Sequence, residues 1–300
     1  MRVIWIIGKN GMLGSELYDF LLKNNSLQVF ATSSAEVDIT NYEQMLSFVK
    51  TITPSNKIDF IINCAAYTAV DKAEQDFDSA FAVNKYGIKN LVKIAKITDA
   101  ALIQISTDYI FDGLSKVPYT ENDVPNPLNV YGKSKLAGEK IISSSSLKKF
   151  FILRTSWLYG KNGKNFVKTI INALNNQSEI RVVSDQTGCP TNCTTLCKII
   201  SLLLSKNEFN SISSGIYNVT DKGQATWFDF AKKIYSLSKK MCLVKKECKI
   251  FECATKDYPA IAKRPPFSVL STKKIEQALN IEFKEWSNEL KKVLEKINPL

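Results

Sequence analysis

The chain has 300 residues, of which 45% are hydrophobic, and its formal net charge is +11. This length allows one large domain or two modest ones, and the apolar share is ordinary for a globular protein. The chain contains no histidine, which excludes catalytic triads and metal sites that depend on that residue.

The positive charge is spread along the chain as lysine and is not gathered in a basic block. We therefore expect no nucleic-acid partner, while a phosphorylated small ligand suits the charge. No apolar run reaches the ~18 residues of a membrane span, so no membrane partner is expected. The first apolar run is too short, and too soon followed by polar residues, for a signal peptide, so a cytoplasmic protein is predicted. The seven cysteines are predicted to be free thiols, and no metal site is predicted.

The first strand is predicted at residues 3–7, a continuous apolar run typical of strands buried on both faces of a sheet. It is followed by the spacing Gly-x-x-Gly-x-x-Gly and then by a helical pattern. This order predicts a dinucleotide-binding turn, because glycines let backbone amides approach a pyrophosphate at a helix N-terminus. The candidate cofactor-binding residues of this turn are Gly8, Gly11, Met12, Leu13 and Gly14.

A second strand at residues 27–31 ends in a Thr-Ser-Ser stretch. NAD-specific sites usually place a carboxylate there for the ribose 2′-hydroxyl. Since none stands there, we expect nothing to repel a 2′-phosphate, and Ser33 and Lys9 are available to it. The stretch favours NADP(H), with NAD(H) also accepted. Asp38 is expected to face the adenine, with Ile39 beside it.

Two further strands are predicted at residues 59–64 and 101–105, each preceded by a helical pattern, at 41–51 and 77–97. Strands that alternate with helices predict an α/β fold with a Rossmann-like, doubly wound parallel sheet. Ligands lie beyond the carboxyl ends of such strands. The residues expected there are Ala65, Ala66 and Tyr67 after the third strand, and Thr107 and Asp108 after the fourth.

The strict alternation ends after a strand at residues 150–154. Helices and short strands of a smaller lobe are predicted after it, with helices near 164–176, 192–205, 226–238 and 286–297 and strands near 180–183 and 215–219. We therefore predict a cofactor-binding domain over residues 1–160, its sheet completed by some later segments. Residues 161–300 are predicted to form mainly a smaller C-terminal substrate-binding lobe.

Tyr131 and Lys135 are four residues apart, so on a helix they share one face. A phenol has an unperturbed pKa of ~10, and a neighbouring ammonium is expected to lower that pKa. The pair therefore indicates a general acid that works near neutral pH. The alternative is a surface tyrosine stacked on a lysine side chain.

The motifs resemble the extended short-chain dehydrogenase/reductase superfamily and, within it, the dTDP-4-dehydrorhamnose reductase family. The resemblance covers the whole chain. The glycine turn and the Lys-Leu-Ala-Gly-Glu stretch at residues 135–139 are shared across the superfamily. More specific to the family are Thr-Asp-Tyr at residues 107–109, Asp-Gln-Thr-Gly-Cys-Pro-Thr at 185–191, Thr-Trp at 226–227, and Arg-Pro at 264–265.

This resemblance implies the NADPH-dependent reduction of the C4 keto group of dTDP-4-dehydro-L-rhamnose to dTDP-L-rhamnose. It implies a catalytic set of Thr107, Tyr131 and Lys135. Thr107 is expected to hydrogen-bond the keto oxygen and Tyr131 to donate the proton. Lys135 is expected to bind the nicotinamide ribose and to lower the pKa of Tyr131. Asp108 and Trp157 are expected to contact the sugar.

Three further features remain open at this point. Arg264 is expected to bind a diphosphate with both arms of its guanidinium, and the alternative is a surface ion pair. Asn165 lies at a predicted helix start, where phosphate oxygens bind well, and the alternative is a simple helix cap. Some relatives join subunits through a divalent ion, but Glu16 is the only candidate ligand here.

Two other functional classes remain as alternatives. The first is another activity on NDP-4-keto-6-deoxyhexoses, such as an epimerase or a 4,6-dehydratase, although a dehydratase needs a second acid where Tyr109 stands. The second is a non-catalytic subunit that binds NADP and acts through a partner. The intact Thr107, Tyr131 and Lys135 weigh against it. A homodimer is the expected assembly, as the commonest for soluble proteins.

Overall fold

The structure is a computed structural model that describes residues 1–52 and 57–297, without the side chains of residues 206–208. Its strands are β1 (Arg2–Ile7), β2 (Leu27–Thr32), β3 (Phe60–Asn63), β4 (Ala101–Thr107), β5 (Phe150–Thr155), β6 (Leu158–Tyr159), β7 (Glu179–Val183), β8 (Thr187–Gly188), β9 (Thr191–Asn192), β10 (Gly215–Asn218), β11 (Ala225–Thr226) and β12 (Lys249–Cys253).

The helices lie between and beyond these strands. They are α1 (Met12–Leu21), α2 (Tyr42–Ile52), α3 (Val70–Ala73), α4 (Phe77–Phe81), α5 (Ile88–Thr98), α6 (Val130–Ser143), α7 (Phe166–Asn176), α8 (Cys193–Leu203), α9 (Lys206–Ser211), α10 (Trp227–Lys240), α11 (Lys273–Leu279) and α12 (Trp286–Ile297). In this described part of the chain, no helix is both long enough and apolar enough to cross a bilayer.

Six strands form one parallel sheet in the order β2-β1-β3-β4-β5-β10. β1 therefore pairs with β2 on one side and with β3 on the other. The chain changes direction across the sheet at this point, and the crevice beyond the carboxyl ends of β1 and β3 is where such folds bind ligands. The predicted Rossmann-like, doubly wound sheet is confirmed.

Both faces of the sheet are covered by helices, which explains the continuous apolar runs of its strands. On one face Ile4 and Ile6 of β1 pack with Leu17 of α1 and Leu196 of α8. On the other face, Trp5 belongs to a core that includes side chains of α2 and α5. α8 and β10 both come after residue 160, so later segments of the chain complete the sheet and the helices that cover it.

A further core lies in the smaller lobe. It is formed by α7, α10 and α12 with the parallel pair of β7 and β12, through residues such as Val167, Phe230 and Leu290. β12 was not predicted from the sequence, because its mostly exposed residues lack the alternation of a half-buried strand.

The predicted long helix at residues 77–97 is interrupted. α4 and α5 are joined by a π-helical segment, Ala82–Gly87. Within it, the amide of Asn84 donates to the carbonyl of Tyr67 at 3.0 Å and to Ser134 Oγ of α6 at 2.9 Å, and it accepts from the Tyr67 N–H at 3.0 Å. π-turns inside helices often occur at functional sites, and this one connects α6 to the loop after β3.

We expect Gly138→Ala to destabilise the protein, although alanine is the better helix former. A Cβ at position 138 would lie 2.3 Å from the carbonyl oxygen of Asn84, so the two helical segments would have to separate. Such overpacking costs about 1–3 kcal/mol, which exceeds the gain in helix propensity of ~1 kcal/mol. Urea unfolding measures the difference. The exposed Lys140→Ala in the same helix is the control, and a more stable Gly138→Ala protein would contradict the expectation.

Candidate active site

The predicted catalytic side chains lie where β4 ends and α6 begins. Thr107 is the last residue of β4, and Tyr131 and Lys135 lie on the first two turns of α6. The helix begins there because the Asn129 side chain accepts a hydrogen bond from the Gly132 N–H at 2.8 Å. The Thr107 hydroxyl lies close enough to that of Tyr131 to act on its pKa. The structure therefore brings Thr107 and Tyr131 together.

Lys135 is buried beside this pair, but its ammonium donates to the carbonyl of Ile105 at 2.7 Å. Burial lowers the pKa of Lys135 to about 8. Burial also raises the pKa of Tyr131 to about 12, against the opposite effect of the Thr107 hydroxyl, and Asp108 adds to the rise. The expectation that the pKa of Tyr131 is lowered toward neutral pH is therefore wrong, because desolvation dominates and the Lys135 ammonium is bound to a β4 carbonyl.

Asp108 is buried directly behind Thr107. Its Oδ1 accepts from Thr107 Oγ1 at 3.1 Å, whereas its Oδ2 has no hydrogen-bond partner among the described residues. Burial raises the pKa of Asp108 to about 6, against the opposite effect of the Ser268 and Thr107 hydroxyls. A buried polar atom without a partner is unfavourable, and since Oδ2 has almost no exposed surface, a ligand hydroxyl would reach it only after a local rearrangement.

A buried ion pair fixes α6 against the sheet. Arg154 of β5 donates to both carboxylate oxygens of Glu139 of α6, at 2.7 Å for the shortest contact, and Ser106 of β4 donates to the same carboxylate. Both charged side chains are almost inaccessible to solvent. Glu139 lies one turn after Lys135, so the network sits directly beneath the catalytic residues.

The glycine turn has the close approaches of a nucleotide cradle. Gly8 has a left-handed φ of 87°, and a Cβ at that residue would lie 2.8 Å from the Ala65 nitrogen. A Cβ at Gly14 would lie 2.1 Å from the carbonyl oxygen of Gly8. Only glycine at these two positions permits the close contact between the turn, α1 and the end of β3. The turn residues therefore fit a dinucleotide cofactor.

A cavity of about 330 Å³ opens beside this turn. Eight predicted cofactor residues line it, namely Gly8, Gly11, Ser33, Asp38, Ile39, Ala65, Ala66 and Tyr67. Asn10, Ser34, Cys64 and Val83 line it too and were not singled out from the sequence. The remaining predicted contacts lie elsewhere: Leu13 is in the core, Met12 packs against that core, Gly14 underlies the turn, and Tyr131 and Lys135 are in the catalytic cluster.

A carboxylate does stand at the end of β2, contrary to the sequence analysis. Glu36 accepts hydrogen bonds from the N–H and the hydroxyl of Ser33, each at 2.7 Å, and from Lys9 Nζ at 2.6 Å. These bonds, that of Lys9 foremost, lower the pKa of Glu36 to about 2. The expectation that nothing there repels a 2′-phosphate is therefore wrong, because the turn after β2 brings Glu36 back onto Ser33.

Trp157 lies on the side of the smaller lobe. It has a left-handed φ of 45°, unusual for a bulky residue. Its indole stacks on that of Trp227, with ring centroids 3.5 Å apart and planes within 6°. Trp227 and Phe166 also line a cavity of about 390 Å³, so an aromatic wall separates the lobe core from this cavity.

Arg264 and Asn165, each of which had two possible roles in the sequence, both have partners within the protein. Arg264 forms a two-armed ion pair with Asp71, at 2.7 and 3.2 Å, and also lines the 390 Å³ cavity. Asn165 caps α7 by accepting from the Lys168 N–H at 3.2 Å. In both cases the structure contains the contact named as the alternative, and neither side chain is free for a phosphate without exchanging it.

The cysteines are free thiols, as predicted. The predicted absence of a metal site stays a prediction; in residues 1–52 and 57–297, no group of three or more potential ligands is arranged to hold a metal ion. Glu16 is buried, and its carboxylate accepts a hydrogen bond from Thr194 of α8.

Glu139 and Asn84 were missed in the sequence. Glu139 follows Tyr131 and Lys135 at the same spacing of four, so its place on the catalytic face of α6 was readable from the helical period. Asn84 gave no such signal, because only its tertiary contacts distinguish it from other polar helix residues.

A parallel sheet with a glycine cradle at its switch point, and a Thr-Tyr-Lys set at the adjacent strand end, define an oxidoreductase of the extended short-chain dehydrogenase/reductase class. The family model of the RmlD substrate binding domain matches residues 1–298. The chain belongs to this family, that of the dTDP-4-dehydrorhamnose reductases.

Individual relatives agree along nearly the whole chain. A dTDP-4-dehydrorhamnose reductase of Aggregatibacter actinomycetemcomitans is 37% identical, over 98% of each chain. A crystal structure of one from Clostridium acetobutylicum is 39% identical, with a TM-score of 0.89 over 99% of each chain. Another, from Bacillus anthracis in complex with NADP, is 34% identical, with a TM-score of 0.88 over 99% of this chain and 100% of that one.

We expect Glu139→Gln to destabilise the protein by about 3–5 kcal/mol, because it leaves Arg154 buried without an opposite charge. Glu247→Gln is the matched control: it removes a Lys–Glu pair of 2.6 Å on the surface, where such pairs contribute ~0–1 kcal/mol. Denaturant unfolding of both variants gives the comparison. Equal losses in the two variants would contradict a structural role for the buried pair.

Proposed function

We propose that the protein reduces the C4 keto group of dTDP-4-dehydro-L-rhamnose to give dTDP-L-rhamnose, with NADPH as hydride donor and NADH also accepted. The observation that carries the proposal is that the Tyr131 and Thr107 hydroxyls lie close together beside the buried Lys135, adjacent to the glycine cradle. The names of the relatives, and the NADP bound to one of them, support the substrate and the cofactor.

The chain's own residues supply the acid and orient the sugar. Bound NADPH supplies a hydride to the keto carbon. Thr107 and Tyr131 donate hydrogen bonds to the keto oxygen, and Tyr131 transfers its proton to that oxygen as the carbon is reduced. The raised pKa of Tyr131, about 12, keeps the phenol protonated until then. Lys135 binds the nicotinamide ribose, and its charge stabilises the phenolate that remains.

Other side chains are assigned to the rest of the substrate. After a local rearrangement, Asp108 accepts from a sugar hydroxyl through Oδ2, and Trp157 forms part of the sugar wall together with Trp227. Arg264 binds the diphosphate by sharing its guanidinium with Asp71. Asn165 acts through the N-terminus of α7 that it caps, where backbone N–H groups favour phosphate oxygens.

We also propose that the protein works in the cytoplasm as a homodimer and provides a precursor for cell-surface polysaccharide. Two-fold dimers are the commonest assemblies of soluble proteins. Analytical ultracentrifugation of the purified chain measures its assembly independently of its activity.

The reaction is tested by incubating the purified protein with dTDP-4-dehydro-L-rhamnose and NADPH. We expect the reduced-nicotinamide absorbance to disappear in proportion to the sugar added. dTDP-glucose, which has no keto group, is the control and leaves the absorbance unchanged. If no dTDP-4-keto-6-deoxyhexose supports turnover, the proposal is wrong.

We expect Tyr131→Phe to lower turnover by about 10²–10⁴, the usual contribution of general acid catalysis. The affinity for NADPH is expected to hold, because the glycine cradle and Lys135 remain. Steady-state rates and a nucleotide titration separate these effects. Tyr86→Phe, at an exposed tyrosine, is the control, and a Tyr131→Phe protein with near-normal turnover would remove Tyr131 from the mechanism.

The activity is expected to fall above about pH 8, where Lys135 loses its proton. Tyr131, with a pKa of about 12, stays protonated there and does not cause the loss. Lys135→Arg keeps a charge that is not lost in this range, so the decline is expected to move upward by about two pH units or more even if the maximal rate is lower. A pH profile of kcat/KM for both proteins tests this, and an unchanged decline in the variant would contradict the assignment.

A further inference from the structure

A cavity of about 500 Å³ opens at the amino-terminal edge of the parallel sheet, opposite the proposed active site. Phe60 and Ala101, the first residues of β3 and β4, line it, and so does Lys149, which directly precedes β5. Thr107 ends β4 six residues after Ala101, so at ~3.3 Å per residue the catalytic cluster lies about 20 Å away. The proposed reaction therefore does not use this cavity.

The lining of this cavity is strongly basic. Five of its fifteen lining residues are cations, whereas lysine and arginine make up 40 of the 300 residues of the chain. The five are Arg2, Lys57, Lys96, Lys148 and Lys149. Two carboxylates, those of Asp59 and Asp99, line it as well. Five cations against two carboxylates leave an excess of three positive charges, more than the general lysine content of the chain supplies.

Two of the five cations have a structural reason to lie there. Asp99, directly after α5, pairs with Lys148 at 2.8 Å and with Lys57 at 3.4 Å. Lysines near the end of a helix are also favoured by its dipole. The other carboxylate, that of Asp59, accepts from the Val3 N–H at 2.8 Å. The charges of Lys57 and Lys148 are thus accounted for within the protein.

Arg2 and Lys149 have no comparable partner. Among the described residues neither forms an ion pair with a carboxylate, and each donates to one main-chain carbonyl, those of Leu204 and Ile212 respectively. Both also lie against the ring of Phe209, at 5.5 and 5.2 Å from its centroid. Two partly buried cations therefore converge on one aromatic ring.

This convergence is unfavourable without an anion, because like charges repel more strongly where solvent is partly excluded. Burial lowers the pKa of Lys149, and no carboxylate in the described part of the chain offsets that effect. A guanidinium has five N–H donors and an ammonium three, and the carbonyls take up only one of each. An anion beside Arg2 and Lys149 can bind the remaining donors and compensate both charges.

We propose that this cavity binds a small anion with two phosphate groups, at a site separate from the proposed active site. Its volume of about 500 Å³ suits a small molecule. A single phosphate group brings about −1.5 to −2 charges at neutral pH, so two such groups match the excess of positive charge. Arg2 and Lys149 bind one phosphate, and Lys96, an exposed residue of the same lining, binds the second.

Isothermal titration of the full-length protein with inorganic pyrophosphate tests the site in the absence of sugar and nicotinamide. We expect saturable binding that weakens as salt is added. Lys149→Met is expected to lower the affinity by about tenfold or more, the effect of one hydrogen bond to a charged group. Lys96→Met is expected to lower it by about two- to fivefold, since exposed ion pairs contribute less.

Lys89→Met is the matched control for Lys96→Met. Both lysines are exposed residues of α5, and neither forms an ion pair within the described ranges, but Lys89 does not line the cavity. Its replacement is expected to leave the affinity for pyrophosphate unchanged. The control separates the effect of the cavity from that of the overall positive charge.

Asp99→Asn is expected to act in the opposite direction. Asparagine tolerates the left-handed φ of 53° at this residue, and loss of the carboxylate releases Lys57 and Lys148 for the ligand. The affinity for pyrophosphate is expected to rise by about two- to fivefold. A variant that is only less well folded would bind more weakly.

Arg264→Met separates this cavity from the proposed active site, whose diphosphate contact it removes, and is expected to leave the binding unchanged. The inference is overturned if the wild-type protein does not bind pyrophosphate, if Arg264→Met abolishes the binding, or if Asp99→Asn weakens it. It is also overturned if Lys149→Met binds as the wild type does; should that variant not fold, unchanged binding by Lys96→Met decides the same way. Failure of the keto-sugar assay counts only against the proposed reaction, because the titration contains no sugar.

Discussion

The buried ion pair between Arg154 and Glu139 determines where the active-site helix lies. It joins β5 to α6, and Ser106 of β4 donates to the same carboxylate. A desolvated pair tolerates little displacement, since moving either partner leaves a charge uncompensated. The helix that carries Tyr131 and Lys135 is thereby held against the strand that ends at Thr107, and the geometry of the proposed chemistry depends on this connection.

The layout of the fold was largely predictable, because burial on both faces leaves a direct pattern in the sequence. β1 and the turn with Gly8 were found within one residue of their observed positions. The helix at residues 77–97 was predicted without its π-helical break, since the break coincides with contacts of Asn84 to Tyr67 and Ser134. Such contacts join distant parts of the chain and leave no periodic signal.

At the site, sequence spacing predicted which side chains meet but not their protonation. Tyr131 and Lys135 were placed on one helix face, yet burial raises the pKa of the first and lowers that of the second. Glu36 was not placed at the end of β2, because it follows the strand by several residues and returns to Ser33 only through the turn. Desolvation and loop geometry both depend on the complete fold, so neither can be read from a short sequence motif.

The most direct test of the proposed chemistry is to follow the transferred hydrogen. NADPH that carries deuterium at both positions of nicotinamide C4 is incubated with the protein and dTDP-4-dehydro-L-rhamnose, and the product is analysed by proton NMR. We expect deuterium at C4 of the sugar, seen as loss of the H4 signal, because the cofactor cradle and the Thr107–Tyr131 pair lie at one edge of the sheet. Product with a full H4 signal, or with deuterium at another sugar carbon, would contradict direct reduction at this site.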